Sequence, residues 1–206
     1  MRLFFIIFIT YLIGSIPTGY LFAKFTRKID IRLYGSGNVG ATNVLRVIGK
    51  VPAILTLVLD ILKGFVAVTF WAEISYSFRM QIDYPAFLAL LGLCVVIGHN
   101  YSIFLEFKGG KGVATSLGVL MGLCPKLLIA GICIWVIVFI FSRIVSLASI
   151  VSAIVIPLGS YYFEYPGAVR FLTVVLAFLI LVRHRDNIIR LINNKEDKIS
   201  VKTQKS

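Results

Sequence analysis

The chain has 206 residues, of which 59% are hydrophobic, and its formal net charge is +12 at pH 7; its mean hydropathy is +0.94. A water-soluble domain of this size cannot hide so much apolar surface, so the composition excludes one and indicates an integral membrane protein. In such a protein an excess of Lys and Arg reflects topology, because basic residues gather on the cytoplasmic side, and nucleic-acid binding is not needed to explain it.

Seven apolar segments, taken in chain order, predict an all-α protein with seven transmembrane helices, since about 20 apolar residues span the hydrocarbon core. The first segment resembles a signal peptide at its start, but it has no convincing cleavage site and stays apolar through Ala23. The fourth and fifth are short, and Pro125 between them argues against one merged helix, which would also be too long for a single crossing. The segments are residues 3–25, 51–71, 84–105, 112–124, 126–141, 144–163 and 167–182.

Basic residues divide unevenly between the two ends of these segments. If the stretch 26–50 is cytoplasmic, most Lys and Arg residues lie inside, including all of those from Arg183 onward. Lys63 then falls within a span, and those left outside are Arg2, Arg79, Lys126 and Arg170. The positive-inside rule therefore predicts an external N-terminus and a cytoplasmic C-terminus. We expect a single transmembrane domain over 1–206, in which residues 194–206 form a frayed cytoplasmic tail.

Two predicted cytoplasmic loops are rich in glycine and basic residues. The first glycine loop is 34–46 and begins Tyr-Gly-Ser-Gly-Asn; the second glycine loop is 98–115 and contains Lys-Gly-Gly-Lys at 108–111. Glycine exposes backbone N–H groups, and concave runs of such groups ahead of a helix start bind anions. Tight turns flanked by basic residues are the simpler alternative for either loop alone. Clustered side-chain donors with few carboxylates favour phosphate binding, and these are Ser36, Asn38, Thr42, Asn43, Arg46, Lys108 and Lys111.

Two familiar nucleotide-binding motifs are incomplete here. Gly35-x-Gly37-x-x-Gly40 matches the dinucleotide fingerprint, but no strand precedes it, and Asp60, about 20 residues later, falls in an apolar segment. Positions 110–111 resemble the end of a P-loop, but Gly112 stands where that motif needs Ser or Thr. Neither nucleotide motif holds. The three cysteines and two histidines show no metal-ligand spacing, so we expect neither a metal nor a cofactor.

Further polar residues lie in or beside the apolar segments. Asp60 and Lys63 form an i,i+3 pair within the second segment, either as a structural ion pair or as a ligand of the substrate. His184 and Asn187 share one helix face after the seventh segment, where the histidine is a base, a phosphate donor or a polar cap. The hydroxyls near the inner end of the sixth segment are Ser146 and Ser149.

Three ordered stretches cover nearly the whole chain. The first is Gly14-Ser-Ile-Pro-Thr-Gly19 with Asp30-x-Arg32-x-x-Gly-Ser-Gly-Asn-x-Gly-Ala-Thr-Asn43-x-x-Arg46; the second is Gly98-His99 with Phe107-Lys-Gly-Gly-Lys-Gly-Val-Ala-Thr115; the third is Arg183-His184-Arg185 with Asn187-Ile-x-Arg190-Leu191. In sequence and order they resemble the motifs of the bacterial membrane acyl-phosphate:glycerol-3-phosphate acyltransferases of the PlsY type. One departure is Asn194, where that family usually has Gly.

The resemblance implies transfer of an acyl group from a fatty acyl phosphate to the sn-1 hydroxyl of glycerol 3-phosphate. The products are lysophosphatidic acid and inorganic phosphate, and the reaction is the first committed step of phospholipid synthesis in many bacteria. It also implies a multi-pass protein of the bacterial inner membrane whose active site faces the cytoplasm. The expected partners are the two substrates and membrane lipid, with no nucleic acid, no obligate protein partner and no cofactor.

An acyl phosphate is already activated, so positioning and charge stabilisation suffice and no acyl-enzyme is required. The proton of the attacking hydroxyl goes either to the histidine at 184 or to a substrate phosphate oxygen. The predicted catalytic residues are His184, Asn187, Ser149 and Lys111. The predicted phosphate-binding residues, including the amides at 109 and 110, are Gly35, Ser36, Gly37, Asn38, Thr42, Asn43, Arg46, Lys63, His99, Lys108, Gly109 and Gly110.

Two rival functions use the same basic loops. A transporter or channel for a phosphorylated anion would use them as a vestibule, but alternating access places the site at the midplane, whereas both loops lie on one side. A scaffold that recruits anionic lipid leaves the order of the motifs unexplained. Release of phosphate that depends on both substrates separates the enzyme from these alternatives.

Overall fold

The computed structural model describes residues 1–77 and 81–198, and over them the protein is all-helical. Short 3-10 turns occupy Ile31–Leu33 and Ile103–Leu105. The predictions made for Arg79 and for residues 199–206 lie outside the described residues. The α-helices are α1 (Arg2–Ser15), α2 (Thr18–Arg27), α3 (Ala41–Val47), α4 (Lys50–Val68), α5 (Phe70–Tyr76), α6 (Tyr84–Asn100), α7 (Val113–Leu123), α8 (Pro125–Ser142), α9 (Val145–Tyr162), α10 (Gly167–Arg183) and α11 (Arg185–Ile192).

Four helical stretches are long and apolar enough to cross a bilayer: α4 with α5 (Lys50–Tyr76), α6 with the turn after it (Tyr84–Leu105), α8 and α9. The pairs α1–α2 and α10–α11, bent by 41° and 62°, raise this to six over the described residues. α7 has 11 residues and is about 16 Å long, roughly half of the hydrocarbon core. All seven predicted segments are therefore helical, whereas the count of seven spans stays a prediction.

The lipid environment is most evident at α8. Only 11% of its apolar window is buried inside the protein. Large apolar side chains such as Ile129, Ile137 and Phe141 are 55–86% exposed. A surface of this kind would be costly in water, but hydrocarbon tails cover it. α7 and α8 are separate helices, as the sequence predicts, because Pro125 starts α8 at the first helical position, where its missing N–H costs nothing.

Glycines let two pairs of helices pack at very short distance. A Cβ atom on Gly64 of α4 or on Gly118 of α7 would collide with a backbone carbonyl of the other helix. α1 and α6 meet in the same way at Gly14 and Gly98. Small residues at such contacts allow membrane helices to approach closely. The second glycine loop connects α6 to α7. The contact of α4 with α7 and the contact of α1 with α6 therefore fix the helices at the two ends of this loop.

A break between α1 and α2 places polar groups in the helical core. Pro17 lacks an N–H and interrupts the helix, and the carbonyl of Ile16 accepts a hydrogen bond from Lys63 Nζ at 3.3 Å. Beside it, Ser102 Oγ donates to the carbonyl of Ser15 at 2.5 Å. The break therefore faces α4 and the end of α6, both of which carry predicted site residues.

The segment after α11 is more ordered at its start than the predicted tail. The amide of Lys195 donates to the carbonyl of Arg190 at 2.7 Å. Glu196 bonds to α9 and α11, and Asp197 forms an ion pair with Arg46 at 2.8 Å. The prediction of fraying from 194 is therefore wrong for residues 194–197, because carboxylates in this segment find donors on the protein body.

Candidate active site

Asn43 holds the first glycine loop in shape. Its side-chain oxygen accepts from the amide of Ser36 at 2.9 Å, and its nitrogen donates to the carbonyls of Tyr34 and Asn38 at 3.0 and 2.8 Å. The loop passes close enough for these bonds because Gly35 adopts a left-handed φ of 59° and lies against the Asn43 side chain. Asn43 is buried and supports the loop through bonds that leave its amide little capacity for a ligand, so its predicted contact with phosphate stays a prediction.

Of the side-chain donors predicted in this loop, Ser36 and Arg46 are exposed. The guanidinium of Arg46 lies 2.8 Å from the carboxylate of Asp197, which is 72% exposed. An exposed ion pair of this kind contributes only about 0–1 kcal/mol, so an incoming phosphate can displace the carboxylate. The other predicted members shape the turn: Asn38 Oδ1 accepts from the amide of Gly40 at 2.8 Å, Gly37 has a φ of 70°, and Thr42 lies in the first turn of α3.

The second glycine loop is clamped on both sides. The amides of Gly109 and Gly110 donate to the carbonyls of Asn100 and His99, at 3.1 and 3.0 Å. Their own carbonyls accept from the guanidinium of Arg183, at 2.7 and 2.9 Å. The expectation that these two amides bind phosphate is not met in this arrangement, because backbone carbonyls already occupy both donors. Arg183 fixes the loop instead.

Lys111 comes directly after this clamp and points to α11. Its Nζ donates to Asn187 Oδ1 at 2.5 Å, so the structure brings together two of the predicted catalytic residues that are 76 positions apart in sequence. Burial lowers the pKa of Lys111 to about 8, with nearby Arg190 and Arg183 acting in the same direction. An ammonium held in such surroundings, with a neutral amide as its hydrogen-bond partner, is stabilised by an anionic ligand. Lys108, by contrast, is exposed.

Glu196 is the residue of this cluster that sequence reasoning left out of the site. Its carboxylate accepts from Asn187 Nδ2 at 2.5 Å, Ser146 Oγ at 2.8 Å and Arg190 Nε at 2.7 Å. Burial alone would raise the pKa of Glu196, but these hydrogen bonds outweigh it and hold the pKa below the usual range. Glu196 therefore joins α9 to α11 and orients Asn187 toward Lys111. Its only signal in the sequence was an acidic residue placed after the last helix.

His184 lies between α10 and α11 and is buried. Its ring Nδ1 is 2.8 Å from the carbonyl of Ile180, which can only accept, so Nδ1 carries a proton and, in the neutral ring, Nε2 carries the lone pair. Ser149 does not meet it in a hydrogen bond. The hydroxyl of Ser149 donates to the carbonyl of Val145 at 2.9 Å and accepts from Trp135 Nε1 at 3.1 Å. No base activates it as a nucleophile among the described residues.

Lys63 is enclosed within the protein. Its three donors lie near Asp60 Oδ1 at 2.8 Å, His99 Nδ1 at 2.8 Å and the Ile16 carbonyl at 3.3 Å. The predicted contact of Lys63 with phosphate is therefore not made in this arrangement, because an ammonium has three donors and all are used. The ion-pair interpretation holds for Asp60 and Lys63. Over residues 1–77 and 81–198, no group of three or more His, Cys, Asp and Glu side chains is placed to hold a metal ion.

The site thus consists of two glycine loops, one beside Arg46 and one beside Lys111, with His184, Asn187 and Glu196 next to the second. The sequence family described as "Glycerol-3-phosphate acyltransferase" matches residues 4–194 of the chain. A glycerol-3-phosphate acyltransferase of Endomicrobium trichonymphae is 47% identical over 195 residues, which cover 95% of this chain and 94% of that protein. Glycerol-3-phosphate acyltransferase 2 of Moorella thermoacetica is 44% identical over 191 residues, covering 93% and 94%.

Two solved structures have the same architecture. One is a crystal structure of PlsY (YgiH), an integral membrane glycerol 3-phosphate acyltransferase, in its glycerol 3-phosphate form, with a TM-score of 0.87 and 40% identity over 97% of this chain and 96% of that one. The other is its lysophosphatidic acid form, with a TM-score of 0.84 and the same identity and coverage. Match length, identity and fold agree, and the chain belongs to the PlsY-type family of integral membrane glycerol-3-phosphate acyltransferases.

Proposed function

We propose that the acyl donor is a fatty acyl phosphate and that the product, 1-acyl-glycerol 3-phosphate, begins phospholipid synthesis. The observation that carries the proposal is the contact of Lys111 with Asn187 at 2.5 Å. It places a half-buried ammonium of the second glycine loop against Asn187, one helical turn from His184. Two phosphorylated substrates need a basic site of this kind, and an acyl chain needs the apolar helices around it.

The reaction we propose is direct. The sn-1 hydroxyl oxygen attacks the acyl carbonyl carbon, the bond from that carbon to the phosphate oxygen breaks, and inorganic phosphate leaves. The hydroxyl proton passes to His184 Nε2, whose lone pair is free, or to an oxygen of the departing phosphate. Phosphate is a good leaving group, so orientation and charge stabilisation supply most of the rate. The hydrogen bonds that already engage Ser149 support transfer without an acyl-enzyme.

In this scheme Lys111 holds a substrate phosphate, and Ser36 and Arg46 of the first glycine loop hold the other. Asn187 orients the lysine and faces the hydroxyl. Lys63 and Asn43 support the site from behind, since neither has donors to spare. Lys108, which is exposed, raises the local positive potential and attracts both anions.

We also infer that the protein crosses the inner membrane seven times, with its N-terminus outside and both glycine loops in the cytoplasm. The distribution of Lys and Arg supports this orientation. α7 is short, but much of it is buried inside the protein, at Thr115, Ser116, Gly118, Val119 and Leu120. A helix surrounded by protein need not match the thickness of the lipid core by itself.

The deciding experiment mixes purified protein in detergent or bilayers with palmitoyl phosphate and glycerol 3-phosphate. Release of phosphate and formation of the acylated product must each require both substrates. Palmitoyl-coenzyme A is the matched control donor, and we expect no product from it. Turnover with the thioester and none with acyl phosphates of several chain lengths would contradict the proposed donor. A labelled acyl group retained on the protein would contradict direct transfer.

A further inference from the structure

The chain has two histidines: His99 belongs to the second glycine loop, and His184 follows Arg183, whose guanidinium holds that loop. We propose that they face the site with opposite proton arrangements: His99 presents an Nε2–H donor, and His184 presents an Nε2 lone pair. In this proposal Thr18, Asp60 and Lys63 are positioning residues that fix the donor form of His99. The hydrogen-bond arrangement stands on geometry, and the use of His99 by a substrate rests on the proposed function.

The position of the proton on the His99 ring follows from its neighbour Lys63. Lys63 Nζ lies 2.8 Å from His99 Nδ1, and an ammonium group can only donate. Nδ1 must therefore accept, which leaves the single proton of the neutral ring on Nε2. Asp60 Oδ1 is 3.6 Å from the same Nδ1, outside hydrogen-bond distance. The carboxylate therefore does not hold a competing proton on Nδ1.

Lys63 is held in place by buried groups that are themselves hydrogen-bonded. Asp60 Oδ1 accepts from Lys63 at 2.8 Å and from Thr18 Oγ1 at 2.7 Å. The third donor of Lys63 reaches the carbonyl of Ile16 at 3.3 Å. The side chains of the ion pair are 7% and 3% exposed. A charged pair in the interior is held this tightly only when its remaining donors and lone pairs have partners.

His99 Nε2 points at the second glycine loop. A Cβ atom added to Gly110 would collide first with His99 Nε2, so the ring lies directly over this glycine, one residue before Lys111. A small cavity adjoins the ring and is lined in part by Asp60, Ser102 and Gly109. Gly110 is the residue that leaves room for the ring, and in this proposal the Nε2–H serves a substrate oxygen held by the neighbouring Lys111.

His184 has the reverse arrangement, because its Nδ1 donates to the carbonyl of Ile180 at 2.8 Å. Acyl transfer needs a fixed N–H donor and a basic lone pair at the same time. An oxygen of the acyl phosphate gains negative charge as the carbonyl is attacked and benefits from a fixed N–H donor. The attacking hydroxyl must lose a proton and benefits from a lone pair. Two neutral rings held by different partners supply one property each.

The direct test is nitrogen NMR of the unmodified protein with ring-labelled histidine, in which only two imidazoles contribute signals. Long-range proton–nitrogen correlations identify which nitrogen of each ring carries the proton, and a His184→Gln sample assigns the two rings. We expect the proton on Nε2 of His99 and on Nδ1 of His184. The same tautomer in both rings, or a protonated His99, would overturn the proposal, and neither result depends on turnover.

The role of Lys63 is tested with Lys63→Met, which keeps the length of the side chain and removes its donors. We expect His99 alone to change its ring-nitrogen pattern, and kcat to fall about 10- to 100-fold with a smaller effect on KM. Lys63→Arg, which keeps donors, should restore part of kcat. Thr56→Val is the matched control, because Thr56 is buried about two turns before Lys63 on α4 and its hydroxyl donates to the carbonyl of Pro52 in its own helix.

The proposal fails if Lys63→Met leaves both the His99 pattern and kcat at the level of the Thr56→Val control. If Lys63→Met does not fold, Asp60→Asn serves instead, since it weakens the hold on Lys63 without changing shape. Opposite tautomers in a protein that releases no phosphate from acyl phosphates would refute the proposed function alone. Identical tautomers in an active enzyme would refute this inference alone.

Discussion

At the scale of single residues, Lys111 is the side chain whose charge matters most in the function that we propose. Burial brings its pKa down to about 8, so the ammonium is present below that pH and is lost above it. A phosphate binds the charged form. We therefore expect kcat/KM for glycerol 3-phosphate to fall as the pH rises through about 8, because kcat/KM reports the ionisation of the free enzyme.

The measurement is a pH profile of kcat/KM between about 6 and 9.5, compared with Lys111→Arg, whose side chain stays charged throughout this range. The fall on the basic side should be absent in the arginine variant, even if its activity is lower at every pH. A wild-type profile that stays flat to pH 9.5 would show that this lysine does not control binding. Lys108→Arg, in which the replaced residue is exposed, is the control and should keep the wild-type profile.

Residue types were predictable from the sequence where clustering indicated them, but the partner of each residue was not. The two loops with their lysines and the pair His184 and Asn187 are visible as patterns. The partners of the Gly109 and Gly110 amides were not predictable, because they depend on how the loop folds back onto the last residues of α6. Glu196 was missed as a site residue for the same reason: its partner Ser146 is 50 residues away, and no local pattern links them.

At the scale of elements, α11 is held in place mainly by hydrogen bonds rather than by apolar packing. Glu196 supplies three of these bonds, to two residues of α11 and to Ser146 of α9. We expect Glu196→Ala to leave buried donors unsatisfied, at a cost of about 1–3 kcal/mol for each, and to release Asn187 from its orientation toward Lys111. Activity should then fall at least tenfold, a loss of about 1.4 kcal/mol of transition-state stabilisation.

The matched control for this prediction is Asp186→Ala. Asp186 lies on α11 itself, and its carboxylate side chain is 72% exposed. Activity and the rate of protease cleavage between α10 and α11 are measured for both variants. Faster cleavage should accompany the loss of activity in Glu196→Ala only. Equal behaviour of the two variants would mean that the carboxylate at 196 does not hold α11.

The contact between α4 and α7 is a second prediction at this scale. Gly118→Ala adds a Cβ atom that meets a backbone carbonyl of α4, so the two helices must separate and the start of α7 must move. We expect a loss of about 1–3 kcal/mol of stability, seen as a lower unfolding temperature in detergent. Gly167→Ala is the control, since nothing lies within 4 Å of the added atom. A similar unfolding temperature for the two variants would contradict the close contact.

At the scale of the whole molecule, the crossing of α7 decides between six and seven spans. Single cysteines at Lys108 and Lys126, both exposed, lie on either side of this helix. They are introduced after Cys94, Cys124 and Cys133 are replaced by alanine, and intact cells are treated with a maleimide that does not cross membranes. We expect labelling at 126 and not at 108 before lysis. Labelling of both sites or of neither would place the two ends of α7 on one side.

The overall architecture was largely predictable because hydropathy acts over whole segments. All seven apolar segments are helices, and the interruption at Pro125 is where the sequence places it. The bends between α1 and α2 and between α10 and α11 were not predicted, because mean hydropathy does not register a break within an apolar segment. Pro17 marks the first break in the sequence, but the polar contact made there, between the carbonyl of Ile16 and Lys63, joins distant parts of the chain.

The contact of Arg46 with Asp197 joins residues 151 positions apart and has a consequence for biosynthesis. A membrane protein enters the bilayer from its N-terminus as the ribosome extends it, so the first glycine loop is made long before α11 and Glu196 have been translated. The site can therefore close only after the spans have been inserted. A nascent chain exposes its basic loops without the residues that complete them, and an early stop codon after α10 would leave an inserted but inactive protein.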